Sequence, residues 1–483
     1  MSWRVVGPFN RVEGELDLAL DVRDARVHAA RVQARASRGF ERLLLGRDPR
    51  DALVYTPRVC GICSVAHSAA ASALLRSAMA LELPRNGALA ARLVSACENL
   101  SDHLTHFYLL FMPDFARAGF AAQPWFDAAC ARFRAQHGSA MRPALRARAA
   151  FLHLMGVLAG KWPHTLALQP GGASRAVDAG EKVRLGNVLG QFREFLETEL
   201  FGCPLERFAA IDSDDALRGW AEAHAASDFG RFLQFADALA LHALGVTRNG
   251  FISHGAYGQS GDWLFAPGWW RGRVRALRTD GVTEDLSHTW FRDDGAARHP
   301  WDGHSDPAAD ATDDAYTWCK APRLDGAVVE TGALARQLID GHPLATDLVR
   351  IEGSSVRSRV VARAIELARV VPAMQRWVGE LDPAQAFSVP DAAARDGAWC
   401  GLVEAARGAL GHWARIHDGR ITHYQIVAPT TWNFSPRDAS GAPGPLEQAL
   451  EGTPIGAEDT AADSGLVQLV LRSFDPCMAC TVH

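Results

Sequence analysis

The sequence predicts a mainly helical fold with minor β structure, formed by one domain over residues 1–483. Segments rich in helix-forming residues recur along the chain, and no internal repeat or low-complexity linker divides it. These helical segments are 64–81, 86–112, 143–160, 182–200, 228–245 and 355–379. Residues 278–315 are instead polar and rich in Asp, Gly, His and Trp, which predicts a long irregular excursion.

Small β-hairpins are predicted near both ends of the chain. Between residues 15 and 33, apolar and polar residues alternate on either side of a polar RDAR turn. Near the C-terminus, the dipeptide Asp418-Gly419 lies between Ile416 and Ile421. Asp-Gly is typical of a two-residue hairpin turn, so a second hairpin is expected there.

Composition and charge exclude several classes of protein. The 50 basic and 55 acidic residues leave a net charge of −5 without a basic block, which argues against nucleic acid or an anionic membrane as partner. The N-terminus lacks the pattern of a secretory signal, and no apolar run is long enough for a membrane span. Nine cysteines, five of them isolated, are typical of reduced thiols in the cytoplasm rather than a disulfide framework.

Two CxxC pairs lie almost the whole chain apart, Cys60 with Cys63 and Cys477 with Cys480. Four thiolates suit zinc, nickel, copper(I) or iron. From spacing within each pair, a closed structural zinc site is favoured. Structural zinc usually cross-links a short local segment, however, and these two pairs lie far apart in the sequence. A helix beginning after Cys63 would place His67 one turn along, where it could donate a hydrogen bond to a sulfur.

The motifs around these cysteines recur in one known family. RVCGICSVAH (58–67) and DPCMACTVH (475–483) resemble the metal-binding motifs of the large subunit of nickel–iron hydrogenases. Seven further segments also resemble this family and occur along the chain in the family's order. They are RVEGE (11–15), RGFERLLLGRDP (38–49), DHLTHFY (102–108), GKWPHTLALQPGG (160–172), KAPRLDG (320–326), EAARGALGHW (404–413) and VAPTTWNFSPRD (427–438). The related quinone-side subunit of respiratory NADH dehydrogenase shares the fold but lacks the four cysteines, which excludes it.

The resemblance implies a nickel–iron centre that cleaves dihydrogen heterolytically. Cys60 and Cys477 would be terminal ligands of nickel, and Cys63 and Cys480 would bridge nickel to an iron that carries carbon monoxide and cyanide. No iron–sulfur motif is present in this chain. Electrons are therefore expected to leave through an iron–sulfur small subunit, so at least a heterodimer is predicted.

The resemblance also implies a route for the proton released from dihydrogen. Cys477 would accept the proton and Glu13 would relay it outward, although Glu13 without its motif would be taken for a solvated surface glutamate. Arg407 corresponds to an arginine that overhangs the metals and donates to a cyanide, with Asp102 and Asp475 orienting it. A buried structural ion pair is the plainer interpretation of these three residues.

Further resemblances concern the surroundings of the centre. Ala406 stands where many family members have proline, which predicts a looser backbone before the arginine. Thr430 corresponds to a hydroxyl that donates to the second cyanide. A magnesium ion is implied near the chain end, with Glu41, the backbone carbonyl of Ile426 and the imidazole of His483 as protein ligands.

The sequence also suggests the type of hydrogenase. Most family members are made with an extension beyond the final histidine, whereas this sequence ends at His483. Glu15 stands where energy-conserving uptake enzymes usually have histidine. Both features favour a cytoplasmic hydrogen-sensing hydrogenase that signals to a histidine kinase. The alternatives are an uptake or bidirectional enzyme in processed form and, more distantly, a zinc-stapled structural subunit.

Overall fold

The computed structural model describes residues 3–259, 261–310, 314–455 and 464–481. Its helices are α1 (Phe40–Leu43), α2 (Ala52–Tyr55), α3 (Ser64–Met79), α4 (Arg85–Thr105), α5 (Phe126–Phe133), α6 (Met141–Phe151), α7 (His153–Ala159), α8 (Ala179–Phe195), α9 (Leu205–Ala209), α10 (Asp214–Ala223), α11 (Asp228–Ala238), α12 (Ala333–Ile339), α13 (Pro343–Glu352), α14 (Val356–Glu380), α15 (Pro429–Asn433), α16 (Pro445–Leu450) and α17 (Gly465–Ser473). Its strands are β1 (Arg4–Val6), β2 (Asp17–Arg23), β3 (Arg26–Gln33), β4 (Leu168–Gln169), β5 (Gly172–Ala173), β6 (Gly250–Ser253), β7 (Gly268–Trp270), β8 (Val274–Arg275), β9 (Val282–Asp285), β10 (Ala321–Leu324), β11 (Val329–Glu330), β12 (Gly397–Ala405), β13 (Gly408–His417) and β14 (Arg420–Val427).

The predicted fold class, mainly helical with small sheets, is confirmed. The helical segments appear as expected, apart from differences within or at the ends of some of them. The 143–160 segment is divided at Leu152 into α6 and α7, and the 228–245 segment ends early, at Ala238. The helix of residues 86–112 runs as α4 and continues as a π-helical turn over His106–Phe111. A π turn widens the hydrogen-bond ladder locally and is frequent at functional sites.

The N-terminal hairpin is confirmed and extended by one strand. Strands β2 and β3 pair antiparallel, with Leu18 opposite Val32, and β1 adds to the outer edge of β2. Leu16, Leu18 and Leu20 are fully buried, as expected from the alternation. The loop between β1 and β2 is held near the C-terminus, because the amide of Met478 donates to the Glu13 carbonyl at 2.7 Å.

The C-terminal hairpin is part of a larger antiparallel sheet in the order β12–β13–β14. Its predicted turn is present, with positive φ at both Asp418 and Gly419. Helix α3 packs against β12, and a Cβ added to Gly401 would lie 1.9 Å from the Ala70 carbonyl oxygen. The glycine therefore permits the backbones of helix and strand to approach closely, which fixes the start of α3 relative to the sheet.

The predicted excursion over 278–315 is largely irregular, as expected. In the part of it that the structure describes, β9 is the regular element, and it pairs antiparallel with β10. At the centre of the molecule α4 and α14 pack against each other, and both are mostly buried. Among the described helices, none combines the length and apolar character that a membrane span requires.

Candidate metal centre

Four cysteine sulfurs from opposite ends of the sequence meet in the interior. Cys60 and Cys63 precede the first turn of α3, whereas Cys477 and Cys480 follow α17. The Cys60 and Cys477 sulfurs lie 3.3 Å apart and those of Cys63 and Cys480 lie 3.0 Å apart. All four sulfurs lie within 4.8 Å of one another, and all four residues are buried and free of disulfides. The arrangement is a preformed tetrathiol pocket.

The electrostatics of this pocket favour a cation. Hydrogen bonds from Cys477 and the other thiols hold the pKa of Cys60 well below its usual range, because they stabilise one thiolate. Hydrogen bonds with Cys477 and with Cys60 raise the pKa of Cys63 and of Cys480 well above the usual range. Several thiolates cannot share this buried space unless a cation neutralises them. Soft thiolate donors suit a nickel ion or another soft metal, so the residues fit the implied group.

Arg407 lies at the tight turn between β12 and β13 and is almost fully buried. Its Nη1 lies 2.7 Å from Asp102 Oδ2, and its Nη2 lies 3.1 Å from Asp475 Oδ1. Nε donates to the Asp475 carbonyl at 2.9 Å. Asp475 has a φ of 57°, an uncommon conformation for a residue with a side chain. It presents both its carbonyl and its carboxylate to one guanidinium.

The two aspartates respond differently to this environment. Burial raises the pKa of Asp102 to about 7 despite the neighbouring Arg407. Burial also acts on Asp475, but Arg407 and nearby cations outweigh it and lower the pKa of that carboxyl. Asp102 and Asp475 in turn outweigh the burial of Arg407 and raise its pKa well above its usual range. Arg407 is therefore a permanent positive charge beside the sulfurs.

Thr430 and His67 both lie close to the cysteine pairs. Thr430, on α15, accepts a hydrogen bond from the Cys477 amide at 3.2 Å, which leaves its hydroxyl proton available for donation. His67, on α3, places its Nδ1 at 3.1 Å from Nε2 of His412, and His412 Nδ1 lies 2.8 Å from the Tyr424 hydroxyl. The expected contact of His67 with a sulfur stays a prediction.

A second polar cluster surrounds Glu41, which is fully buried. Its Oε1 accepts the Ile426 amide at 2.7 Å, and its Oε2 lies 3.5 Å from the ammonium of Lys320. Lys320 also lies 3.4 Å from Glu284. These carboxylates outweigh burial and raise the pKa of Lys320. The structure thus brings Glu41 and Ile426 together, whereas His483 lies outside the described residues.

A comparison with protein families identifies the chain. The family model described as nickel-dependent hydrogenase matches residues 38–129 and 141–483, which include all four cysteines. The chain belongs to this family. It is therefore an oxidoreductase of a nickel-dependent family, and its cluster of four buried cysteines is suitable for a nickel–iron site.

Individual relatives agree with this assignment. The large subunit of the periplasmic [NiFeSe] hydrogenase of Desulfomicrobium baculatum is 28% identical, with 99% of this chain and 94% of the relative covered. The Hydrogenase-2 large chain of Escherichia coli is 25% identical, with 100% and 97% covered. Among solved structures, the Ni-Fe-Se hydrogenase of D. vulgaris Hildenborough superposes with a TM-score of 0.83 at 26% identity, and both chains are fully covered.

Two residues that hold the pocket of this hydrogenase together were not predicted from the sequence. The guanidinium of Arg38 donates to the carbonyls of Val59 and Ala479, which precede one cysteine of each pair. Arg38 therefore ties the N-terminal CxxC segment to the C-terminal one. Its place as the first residue of the RGFERLLLGRDP motif gave a weak signal, but one arginine among many does not reveal its partners.

Glu98 is the second missed residue. It is buried on α4 and accepts the amides of Val65 and Ala66 at 2.9 and 3.0 Å and the Trp162 indole N–H at 2.9 Å. Burial raises the pKa of Glu98 to about 8. The carboxyl thus satisfies the first amides of α3, immediately after Cys63, and fixes the direction of that helix.

Proposed function

We propose that the four cysteines hold a nickel–iron centre, with Cys60 and Cys477 terminal on nickel and Cys63 and Cys480 bridging to iron. When bound, the centre would supply an electron-rich, coordinatively open site for dihydrogen. The observation that carries this proposal is the buried tetrathiol pocket beside a permanently charged arginine. Soft thiolate donors suit nickel and iron, and four sulfurs within 4.8 Å of one another can hold two adjacent metals.

Cleavage of dihydrogen yields protons that the chain must remove. We infer that the Cys477 sulfur accepts the first proton and that the carboxylate of Glu13 passes it outward. Glu13 is partly buried and forms a backbone bridge with Cys477. Burial, followed by the charge of Cys60, raises the pKa of Glu13, which favours proton uptake from a neighbouring thiol.

Arg407 and Thr430 are proposed to fix cyanide ligands of the iron, with a carbon monoxide ligand beside them. Both side chains are buried, and the Thr430 hydroxyl, which accepts from the Cys477 amide, keeps its proton for donation. Guanidinium and hydroxyl donors match the acceptor character of cyanide nitrogen.

We also propose a magnesium ion near the chain end, held by Glu41, the Ile426 carbonyl and His483. Two buried carboxylates, Glu41 and Glu284, face the single ammonium of Lys320. Carboxylate and carbonyl oxygens are the ligands that a hard divalent cation such as magnesium prefers.

The partner is proposed to be an iron–sulfur small subunit that takes the electrons. Leu43, Leu45 and Val54 lie on the segment that leads to Cys60, and each is more than 40% exposed. Leu44 and Leu53, between them, are buried in the same apolar cluster as Cys60. An exposed apolar surface continuous with the metal pocket is suited to a subunit that must approach the metals closely.

We further propose that the protein is a cytoplasmic hydrogen sensor that signals to a histidine kinase. Glu15 and the isolated, reduced cysteines support this type. Alignments with the relatives span 518 to 597 positions, more than the 483 residues of this chain, so those proteins carry segments that this one lacks. The alternative is an uptake hydrogenase, favoured by relatives such as the quinone-reactive enzyme of Wolinella succinogenes.

Purification of the native complex distinguishes the two roles. For a sensor, we expect a histidine kinase to copurify and its autophosphorylation to differ between hydrogen and argon. A Cys477→Ala variant should abolish that difference without changing basal phosphorylation. Rapid reduction of a quinone under hydrogen, with kinase phosphorylation unchanged or no kinase present, would establish the uptake role instead.

A further inference from the structure

Arg336 is a fully buried arginine on α12 whose five N–H groups are all used. Nε and Nη2 donate to the two oxygens of Glu366 at 2.9 and 3.0 Å, and Nη1 donates to Glu404 at 2.6 Å. The remaining donors reach two consecutive backbone carbonyls, Ala405 at 3.0 Å and Ala406 at 2.9 Å. These carbonyls immediately precede Arg407 in the chain.

The other side of the Arg407 turn is also held by the segment before α12. The Thr331 hydroxyl accepts the Ala409 amide at 2.7 Å. A Cβ at Gly408 would lie 2.4 Å from that hydroxyl oxygen, so the two segments are in close contact. The backbone of residues 405–409 is thus fixed from both ends by residues 331–336.

This arrangement restrains the backbone at the position where Ala406 replaces the proline of many family members. The sequence predicted a looser backbone there, because alanine leaves φ free. The structure shows a separate restraint, since the Ala406 carbonyl is bound by Arg336. A guanidinium is the side chain suited to this task, because a lysine ammonium has three donors and cannot reach two carboxylates and two carbonyls together.

The carboxylates that orient Arg336 are themselves fixed by other elements. Glu366, on α14, also accepts the Tyr257 hydroxyl at 3.1 Å, and Glu404 accepts the His254 amide at 2.7 Å. Arg336 outweighs burial and lowers the pKa of Glu366 to about 2. Arg336 and Glu366 are therefore a charged pair, and the hydrogen bonds of Arg336 extend from this pair to the backbone that precedes Arg407.

We propose that Arg336 is a positioning residue that sets the place of the Arg407 guanidinium over the metal pocket. This inference rests on the proposed function for the role of Arg407. Arg336 touches neither sulfur nor substrate. It acts through the carbonyls of Ala405 and Ala406, so its loss should displace Arg407 while leaving the four cysteines in place.

The test compares Arg336→Lys with Arg357→Lys. Arg357 is also a buried arginine between two carboxylates, Glu352 at 2.6 Å and Asp214 at 2.9 Å. Its hydrogen bonds lie at the junction of α10, α13 and α14 and do not reach residues 405–407. Both variants should lower the midpoint temperature of unfolding, because each disrupts a buried ion cluster. Any effect seen in Arg336→Lys but not in Arg357→Lys therefore has another cause.

Three readouts separate positioning from stability. In the metal-free protein, amide hydrogen exchange across residues 405–409 should accelerate in Arg336→Lys alone. In the loaded complex, the infrared bands of cyanide should shift and hydrogen oxidation should fall by about tenfold or more, because small misplacement of a catalytic group is costly. Nickel content should equal that of Arg357→Lys.

Equal exchange and equal band positions in the two variants would overturn the proposal. If Arg336→Lys does not fold, Glu404→Gln provides the second test, since it removes one charged partner of Arg336 and keeps the side-chain shape. Faster exchange at 405–409 is expected there too, and unchanged exchange would overturn the proposal. Wild-type protein without cyanide bands would contradict the nickel–iron proposal, while the exchange result would still decide whether Arg336 holds the turn.

Discussion

Arg407 combines two properties that lysine cannot combine at this position. Its planar guanidinium contacts Asp102, the Asp475 carboxylate and the Asp475 carbonyl at once. Its charge persists in a buried site because two carboxylates surround it. The same atoms are therefore held in one orientation and keep one charge throughout the reaction.

Substitution of Arg407 by lysine should reduce hydrogen oxidation by about a hundredfold, because the fork geometry is lost although the charge remains. Nickel content, measured by elemental analysis, should stay unchanged, since Arg407 is not a ligand. Arg415→Lys is a suitable control because Arg415 pairs with Asp302 on the surface. Wild-type activity in Arg407→Lys would contradict the assigned role.

Glu98 should make stability depend on pH. Burial raises its folded pKa to about 8 from 4.5, so between these values the folded protein keeps a proton that the unfolded chain has released. The contribution of this bound proton to the free energy of unfolding is fully present below about pH 4.5 and is lost as the pH rises toward 8. The slope from one such proton is at most about 1.4 kcal/mol per pH unit.

Glu98→Gln should flatten this dependence, because an amide resembles the protonated carboxyl and does not titrate. The free energy of unfolding, measured by denaturant titration of the metal-free protein from pH 5 to 8, should fall less in the variant than in the wild type. Glu380→Gln changes a surface glutamate paired with Arg85 and serves as control. If the free energy of unfolding has the same pH dependence in the wild type and in Glu98→Gln, Glu98 is ionised in the folded protein.

Among the site residues, the sequence could locate those for which a motif also implied a role. The structure brings the four cysteines together, places Arg407 against Asp102 and Asp475, and puts Thr430 next to Cys477, while the roles assigned to these residues stay predictions. Arg38, Glu98 and Arg336 were missed, because their roles depend on backbone carbonyls and amides supplied by distant segments. Such partners have no side-chain signature, so only the fold reveals them.

At the level of elements, the contact of α3 with β12 sets the position of the first CxxC pair. The helix begins directly after Cys63, and its flank rests on the strand at Gly401. Glu98 of α4 binds the first turn of the same helix. The direction of α3, and therefore of Cys63, follows from these two contacts.

Gly401→Ala should destabilise the protein by about 1–3 kcal/mol, because the new methyl group would overlap the Ala70 carbonyl oxygen. Gly379→Ala is the matched control. Gly379 lies in α14 with no atom close to an added Cβ, so alanine should stabilise by up to about 1 kcal/mol. Both are measured by denaturant titration, and equal effects of the two changes would refute the close approach at Gly401.

The elements were predictable where local periodicity was strong. The long helices and the two hairpins appear as the sequence indicated. The third strand of the C-terminal sheet, β12, was not predicted, because its buried and exposed positions do not alternate regularly. The early end of α11 was missed for a related reason, since residues 239–245 remain apolar after the helix has stopped.

In the whole molecule, the metal pocket joins the two ends of the chain. The N-terminal loop at Glu13, the CxxC segment before α3 and the C-terminal CxxC segment are linked by Arg38 and by the bond from Met478 to Glu13. Metal binding should therefore contribute to folding, because the ligands come from opposite ends of the sequence.

Cys480→Ser should lower nickel content and reduce the free energy of unfolding of the loaded protein by about 4 kcal/mol or more, the scale of losing a structural metal. Cys130→Ser is the control, since Cys130 is an isolated thiol outside the pocket. In the metal-free proteins the two variants should differ far less. A loaded Cys480→Ser protein as stable as the Cys130→Ser protein would show that the metal does not tie the chain ends.

The tetrathiol pocket is proposed to hold a nickel–iron centre with carbon monoxide and cyanide on the iron. Infrared spectroscopy of the purified complex, combined with elemental analysis of the same sample, tests it most directly. We predict stretching bands of carbon monoxide and cyanide together with nickel and iron, and the loss of these bands in Cys477→Ala. Zinc in the pocket and a spectrum without such bands would contradict the account.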